Sequence, residues 1–284
     1  MDANKQALPA SGKAAGANTA LANSRKLQFS TLIKSDAVQK SLEGTLGDSM
    51  RTKTFTSSLI SAVSTNPGLR ECDGMSIISA ALLGESLNLS PSPQLGQYYM
   101  VPFRDKNSGT VKATFQLGWK GYYQLALRSG QYQNIDAVAV KEGELKSYNP
   151  ITGDIDMDPI QDPIEREQAK TIGYYAYFTL NNGFTKKMYW SREKMQAHAE
   201  KYSKGYAAHK GYTFWEKDFD SMAIKTMYRQ LIGKYGIMSI DMQKAYVNDM
   251  SIQPDTTKDD AEPVFFDAVS TDVTNSDTGE VAGE

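Results

Sequence analysis

The stretch Phe115 to Tyr132, FQLGWKGYYQLALRSGQY, constrains this chain more than any other. Ala113 to Leu117 alternates polar and apolar residues and ends at Gly118. From Lys120 to Ser129 the apolar spacing becomes helical, with Gly130 placed to end the helix. A strand therefore feeds straight into a helix, and the fold has to place both around one core.

On the expected helix, Lys120, Gln124 and Arg128 recur every four residues and share a stripe, while Tyr122, Leu125 and Ala126 share another that can face a core. Trp119, Tyr122 and Tyr123 stand at the helix start, where free backbone N–H groups and the positive dipole end favour an anion. Cations for phosphates beside rings for bases are what a single-stranded nucleic-acid site requires. A surface helix with a solvated basic edge and tyrosines turned to the core has the same spacing.

The spelling of this segment resembles the RecT family of phage and prophage single-strand annealing proteins, whose members carry a strand followed by G-[YW]-K-G-x-x-x-L-A-x-R-[ST]-G. Here those positions are Gly118, Trp119, Lys120, Gly121, Leu125, Ala126, Arg128, Ser129 and Gly130. The likeness extends through LGQYYMVPF (Leu95 to Phe103), VKEGE (Val140 to Glu144), IGYYAYF (Ile172 to Phe178) and WEKDFDSMAIKTM (Trp215 to Met227), over roughly residues 28 to 248. It implies an α+β core of antiparallel hairpins and packed helices, related to the annealing core of the phage lambda Beta protein. It also implies ATP-independent binding of single-stranded DNA, annealing of complementary strands to duplex in phage recombination, and action as a homo-oligomer, a ring or a helical filament. Expected partners by the same resemblance are a companion phage exonuclease and the host single-strand-binding protein, in the cytoplasm of a bacterial cell.

The charge distribution agrees with a nucleic-acid partner. Residues 249–284 hold ten acids against one base, Lys258, so of the 31 basic and 33 acidic residues, 30 and 23 remain in 1–248. The net charge of −2 thus hides a body at +7 and a tail at −9. A single cysteine, Cys72, leaves no disulfide framework and fits a reducing compartment. No apolar run is long enough for a membrane span, and no signal core opens the chain.

Residues 1–26 lack apolar periodicity and are expected to be disordered. Ser11-Gly12-Lys13 lacks the remaining parts of a phosphate loop, and no other nucleotide-triphosphate motif is present, so no cofactor is expected. The annealing core is expected over 27–249. Helices are read at about 36–46, 49–65 and 73–88, the last capped by Asp73. A hairpin follows, with strands 97–103 and 111–117, and Arg104, Lys106 and Lys112 stand near its tip. Strand 133–141 is expected to continue that sheet, and 172–180 with 184–190 to form a second hairpin around Asn181-Asn182-Gly183. Ser191 starts a basic helix, and Lys210 lies in the loop after it.

Asp154, Asp156 and Asp158 fall on one side of an extended segment. The glycine and closing glutamate of a calcium loop are missing, so a solvent-facing acidic strand is expected and no metal is assigned. The competing reading is a metal-dependent nuclease built on that row. His198 and His209 have no ligand or nucleophile partner at a recognisable spacing and are read as surface histidines. No catalytic residue is assigned, and the protein is not expected to be an enzyme.

The last long helix opens on the capping box Thr213-Phe214-Trp215-Glu216 and ends near Tyr235. Lys217, Ser221, Lys225 and Arg229 recur every four residues along it as a second phosphate track, with Asp218 and Asp220 as the obvious internal partners of those cations. The expected phosphate contacts are therefore Lys120 and Arg128, then Lys112, Lys225, Arg229 and Lys210. Trp119, Tyr122 and Tyr123 are the rings for stacking or wedging. The acidic tail, 250–284, carries one apolar island at Val264, Phe265 and Phe266. It either solubilises the protein or folds over the basic groove and competes with DNA.

Overall fold

The structure is a computed structural model that describes residues 28–104, 109–211 and 213–253, and the backbone of 264–265. The N-terminal segment expected to be disordered, the hairpin tip with Lys106, and the tail's competition with DNA lie outside the described residues.

Among the described residues four α-helices come first: α1 (Phe29–Ile33), α2 (Asp36–Leu46), α3 (Ser49–Thr65) and α4 (Gly74–Ser86). Side-chain caps start α3 and α4. The Asp48 carboxylate accepts from the N–H groups of Met50 and Arg51, and Asp73 accepts from Ser76 N–H. α4 is the most apolar of them and is buried along most of its length, against the hairpin that follows.

That hairpin, β1 (Tyr98–Arg104) and β2 (Val111–Leu117), pairs in register from Tyr98↔Leu117 to Arg104↔Val111. β1 is the sheet's edge, which is where a strand tolerates Pro102. After β2 comes α5 (Trp119–Arg128), ended by Gly130 at φ +66°. β3 (Tyr132–Lys141) does not continue the first sheet as the sequence suggests. α5 separates the two, and β3 pairs instead with β6 (Thr171–Leu180), which pairs with β7 (Thr185–Ser191) in a sheet of order β3-β6-β7.

Between β3 and β6 lies an excursion of β4 (Leu145–Tyr148), β5 (Ile155–Met157) and α6 (Pro163–Gln168). Asp154, Asp156 and Asp158 are all exposed there, while Ile155 and Met157 turn inward. Asp158 pairs with Lys146 at 3.5 Å and Asp154 accepts from the Thr152 hydroxyl. No group of three or more potential metal ligands gathers among the described residues. Glu144, 3% exposed, accepts from Arg166 at 2.6 Å and from the N–H groups of Lys141 and Ile160, and so ties the excursion to the sheet.

The chain continues through α7 (Arg192–Tyr202), α8 (Lys204–Ala207), α9 (Phe214–Lys217), α10 (Phe219–Tyr235) and α11 (Ile240–Asn248), then β8 (Ser251–Ile252). Alternation along β6 sorts its rings: Tyr174 and Phe178 are fully buried on the α10 side, while Tyr175 and Tyr177 stack on each other over the β4–β5 side. β8 pairs with β2 at Phe115↔Ser251, and β9 (Val264–Phe265) pairs with β8, so the first sheet runs β1-β2-β8-β9. One apolar cluster joins the opening helices, both sheets, α5 and α10, giving the single mixed α+β core that the sequence implies. No helix among the described residues is long and apolar enough to cross a membrane.

Candidate nucleic-acid interface

The β2–α5 junction is built on two close approaches. Gly118 N–H donates to Gln97 O at 2.9 Å, and a Cβ on Gly118 would collide with the carbonyl of Gly96. A Cβ on Gly121 would collide with the carbonyl of Gln97. The two glycines of the G-W-K-G sequence let the chain entering β1 lie directly on the first turn of α5. That contact sets where Trp119 and Lys120 emerge.

Trp119 lies against Tyr228 of α10, ring centroids 6.2 Å apart and planes within 12°, and Tyr123 meets the same ring edge-on at 6.4 Å. The Lys120 ammonium is 5.6 Å from the Trp119 centroid, on an exposed side chain. Trp119 also lines a groove of about 280 Å³ between the hairpin and the α9–α10 corner. Tyr99 and Phe214, 39% and 42% exposed, are its other rings, and the exposed Lys217 stands at its rim.

Lys217 borders a further depression with Lys170, Arg192 and Asp220. Asp220 is committed there, accepting from the Tyr174 hydroxyl at 2.5 Å and from Arg192 at 3.3 Å. Asp218 caps α10 through Ser221 N–H. Its own backbone, at φ −151° and ψ 75°, splits the expected long helix into α9 and α10 and interrupts the ridge between Lys217 and Ser221. The Thr213 capping box is intact, but it belongs to α9.

Lys225 and Arg229 have neither Asp218 nor Asp220 as partner. Both pair with Asp249, which the sequence groups with the acidic tail but which is wholly buried at the end of α11. Asp249 Oδ1 lies 3.3 Å from Lys225 Nζ and accepts Leu117 N–H at 2.9 Å. Its Oδ2 lies 2.7 Å from Arg229 Nη1 and accepts the Tyr122 hydroxyl at 3.0 Å. Burial, and then the Asp249 charge, pushes the Tyr122 hydroxyl well above the ordinary tyrosine range, so it stays a donor.

The sequence-derived residues thus divide by placement. Trp119 lines the groove and the exposed Lys120 holds its ammonium near the Trp119 ring, with Tyr123 half-buried beside them. Tyr122 is fully buried and offers no open ring face. The exposed Arg128 side chain donates to the carbonyls of Leu87 at 2.8 Å and Asn88 at 3.3 Å, closing the C-terminal end of α4. Lys225 is buried, and Arg229 is partly covered and stacks 4.3 Å over the Tyr246 ring. Lys112 is half-buried on β2 opposite Phe103, and Lys210 is exposed in the α8–α9 loop, away from the α5 residues in sequence.

Sequence reasoning missed Tyr99, Phe214 and Asp249. Two cations on a mostly apolar helix face require a buried anion, and that was the available signal for Asp249. Nor is His198 a plain exposed histidine: it is half-buried among Trp190, Tyr202 and Trp215 at centroid distances of 5.4, 4.5 and 6.5 Å. Burial, then the nearby Lys201 charge, pulls it down to about 4.

A model of the RecT family matches residues 53–264. Among curated proteins, an uncharacterized protein of Bacillus subtilis (strain 168), YqaK, is 39% identical over 218 residues, covering 77% of this chain and 70% of its own. Protein RecT of Escherichia coli (strain K12) is 32% identical over 209 residues, covering 73% of this chain and 71% of its own.

Proposed function

Because the chain belongs to the RecT family, we propose that it binds single-stranded DNA and anneals complementary strands in phage recombination, without ATP and as an oligomer. The observation that carries this reading is the groove at the β2–α5 junction, where Trp119, Tyr99 and Phe214 supply ring surface, Lys217 supplies charge at the rim and the exposed Lys120 adds charge beside the Trp119 ring.

Lysines at the rim neutralise phosphates and release counterions, which draws in the first strand and lowers its repulsion of the second. Annealing further requires the pairing edges to stay open, so contacts belong on phosphates and on base faces. An open aromatic face suits this because it binds any base and is worth roughly 1–3 kcal/mol per stacked base. Lys120 and Lys217 act as phosphate contacts, Trp119 as the stacking or wedging ring, and Lys112 and Lys210 extend the basic path. The substrates are single strands and the product is their duplex. A companion exonuclease and the host single-strand-binding protein are the partners that such a role calls for.

The test is duplex formation between complementary oligonucleotides at low ionic strength without nucleotide triphosphate. The protein is expected to accelerate it, and Trp119→Ala with Lys120→Ala to reduce the effect with the fold retained. No acceleration by the wild-type protein refutes the reading.

A further inference from the structure

Lys225 and Arg229 share one carboxylate, that of Asp249, so this buried cluster carries one positive charge in excess. Taking a cation from water without a matching anion is costly, and the excess is unusual in a core. The Lys225 side chain is 10% exposed, and its one hydrogen bond among the described residues goes to Asp249 at 3.3 Å. An ammonium has three N–H donors, so two are left without an acceptor among the described residues.

Those donors stand at a specific place. Lys225 lines the groove described above and also a second cavity of about 240 Å³ behind it, and the two share Gln116, Phe214 and Met222. Arg229 lines the second cavity as well. Asp218, the carboxylate on the groove wall, is occupied in capping α10. Excess positive charge, open donors and an adjoining amide at Gln116 therefore meet one step below the rings of Trp119 and Phe214.

We propose that Lys225 is the seat of one phosphodiester of the bound strand, reached from the groove past Gln116 and Phe214. This rests on the strand-binding reading above and adds a contact that surface exposure alone would not assign. The anion balances the cluster, whereas the empty protein holds Lys225 at a cost. Burial also pushes the Lys225 ammonium below its ordinary range against the pull of Asp249, which is the cost seen from the proton's side.

The reading separates stability from binding. Lys225→Met leaves the Arg229–Asp249 pair balanced, so its thermal midpoint is expected to equal or exceed that of the wild type. Its affinity for an unlabelled single-stranded oligonucleotide is expected to fall about tenfold, the scale of one lost charge-assisted contact. The slope of log K against log salt is expected to shrink by about 0.7, the value for one phosphate on a single strand. Lys225→Gln, which keeps a donor for Asp249, is expected to show the same loss. Inorganic phosphate, against chloride at equal ionic strength, is expected to raise the midpoint of the wild type and not of Lys225→Met.

Unchanged affinity and slope in a folded Lys225 variant overturns the seat while leaving strand binding intact. Absence of salt-sensitive binding by the wild type overturns the underlying reading instead. Loss of the fold in both variants also overturns the seat, since the charge would then serve the empty protein. A phosphate-dependent midpoint with undiminished oligonucleotide binding in the variants makes this a site for free phosphate and overturns the phosphodiester assignment.

Discussion

The carboxylate of Asp249 accepts the backbone N–H of Leu117 at 2.9 Å across 132 residues of sequence. Leu117 is the last residue of the strand that delivers the chain to Gly118 and Trp119. Asp249 therefore fixes the level at which α5 begins, while also holding Tyr122, Lys225 and Arg229. The two chain segments that build the groove are joined through one side chain.

Asp249→Ala is expected to cost about 3–5 kcal/mol of unfolding free energy, because it strands two largely covered cations. Urea denaturation measures it. Combining it with Lys225→Met is expected to cost less than Asp249→Ala alone, since one stranded charge is removed with its partner. Equal or greater loss in the double variant would contradict the charge-balance account.

Arg128 and Lys120, which share a stripe in the sequence, are expected to behave differently. Arg128→Ala removes two donors from the Leu87 and Asn88 carbonyls and is expected to lower stability by about 1–2 kcal/mol, at the lower end for charged donors because the site is exposed. Lys120→Ala is expected to leave unfolding within about 0.5 kcal/mol of the wild type and to flatten the salt dependence of DNA binding. Thermal unfolding and oligonucleotide titration, run on both variants, separate the two roles.

His198 links stability to pH. Its folded value of about 4 lies below the ordinary 6.5, so between those values the unfolded chain binds more protons than the native one. Stability from this residue is thus complete above about pH 6.5 and is lost as pH falls towards 4. Glu144 and Glu216 act lower. Burial pushes each up, but Arg166 with the Lys141 and Ile160 N–H groups, and Gly211 with Thr213, outweigh it and hold both carboxyls below their ordinary range. Their contribution is present above about 4.5 and is lost as pH falls through their lowered folded values. His198→Phe is expected to flatten the thermal midpoint between pH 6.5 and 4.5 and to leave the steeper loss below it.

Gly118→Ala is expected to be severely destabilising, by more than about 3 kcal/mol, because the new methyl meets backbone of Gly96 rather than a movable side chain. Gly183→Ala supplies the contrast: at φ +85° with no neighbour near the added Cβ, its cost is backbone strain alone, about 1 kcal/mol. Far-ultraviolet circular dichroism and urea midpoints of the two variants test the difference.

The sequence by itself determined the elements that depend on neighbours along the chain. Asp36–Leu46, Ser49–Thr65 and Val111–Leu117 match their sequence readings closely, and Asp73 and Ser191 cap the helices they were expected to cap, whereas the intact Thr213 box caps only the short α9. Periodicity, caps and turn glycines act over three or four residues, so one strand of sequence carries them whole. Charge pairing and ring exposure depend on where distant segments meet. Tertiary structure alone decided that Lys225 and Arg229 find Asp249 and not Asp218 or Asp220, that α5 parts β2 from β3 into different sheets, and that Trp119 opens on a groove while Tyr122 is sealed in the core. A buried charge requires a partner, but the path of the chain chooses it.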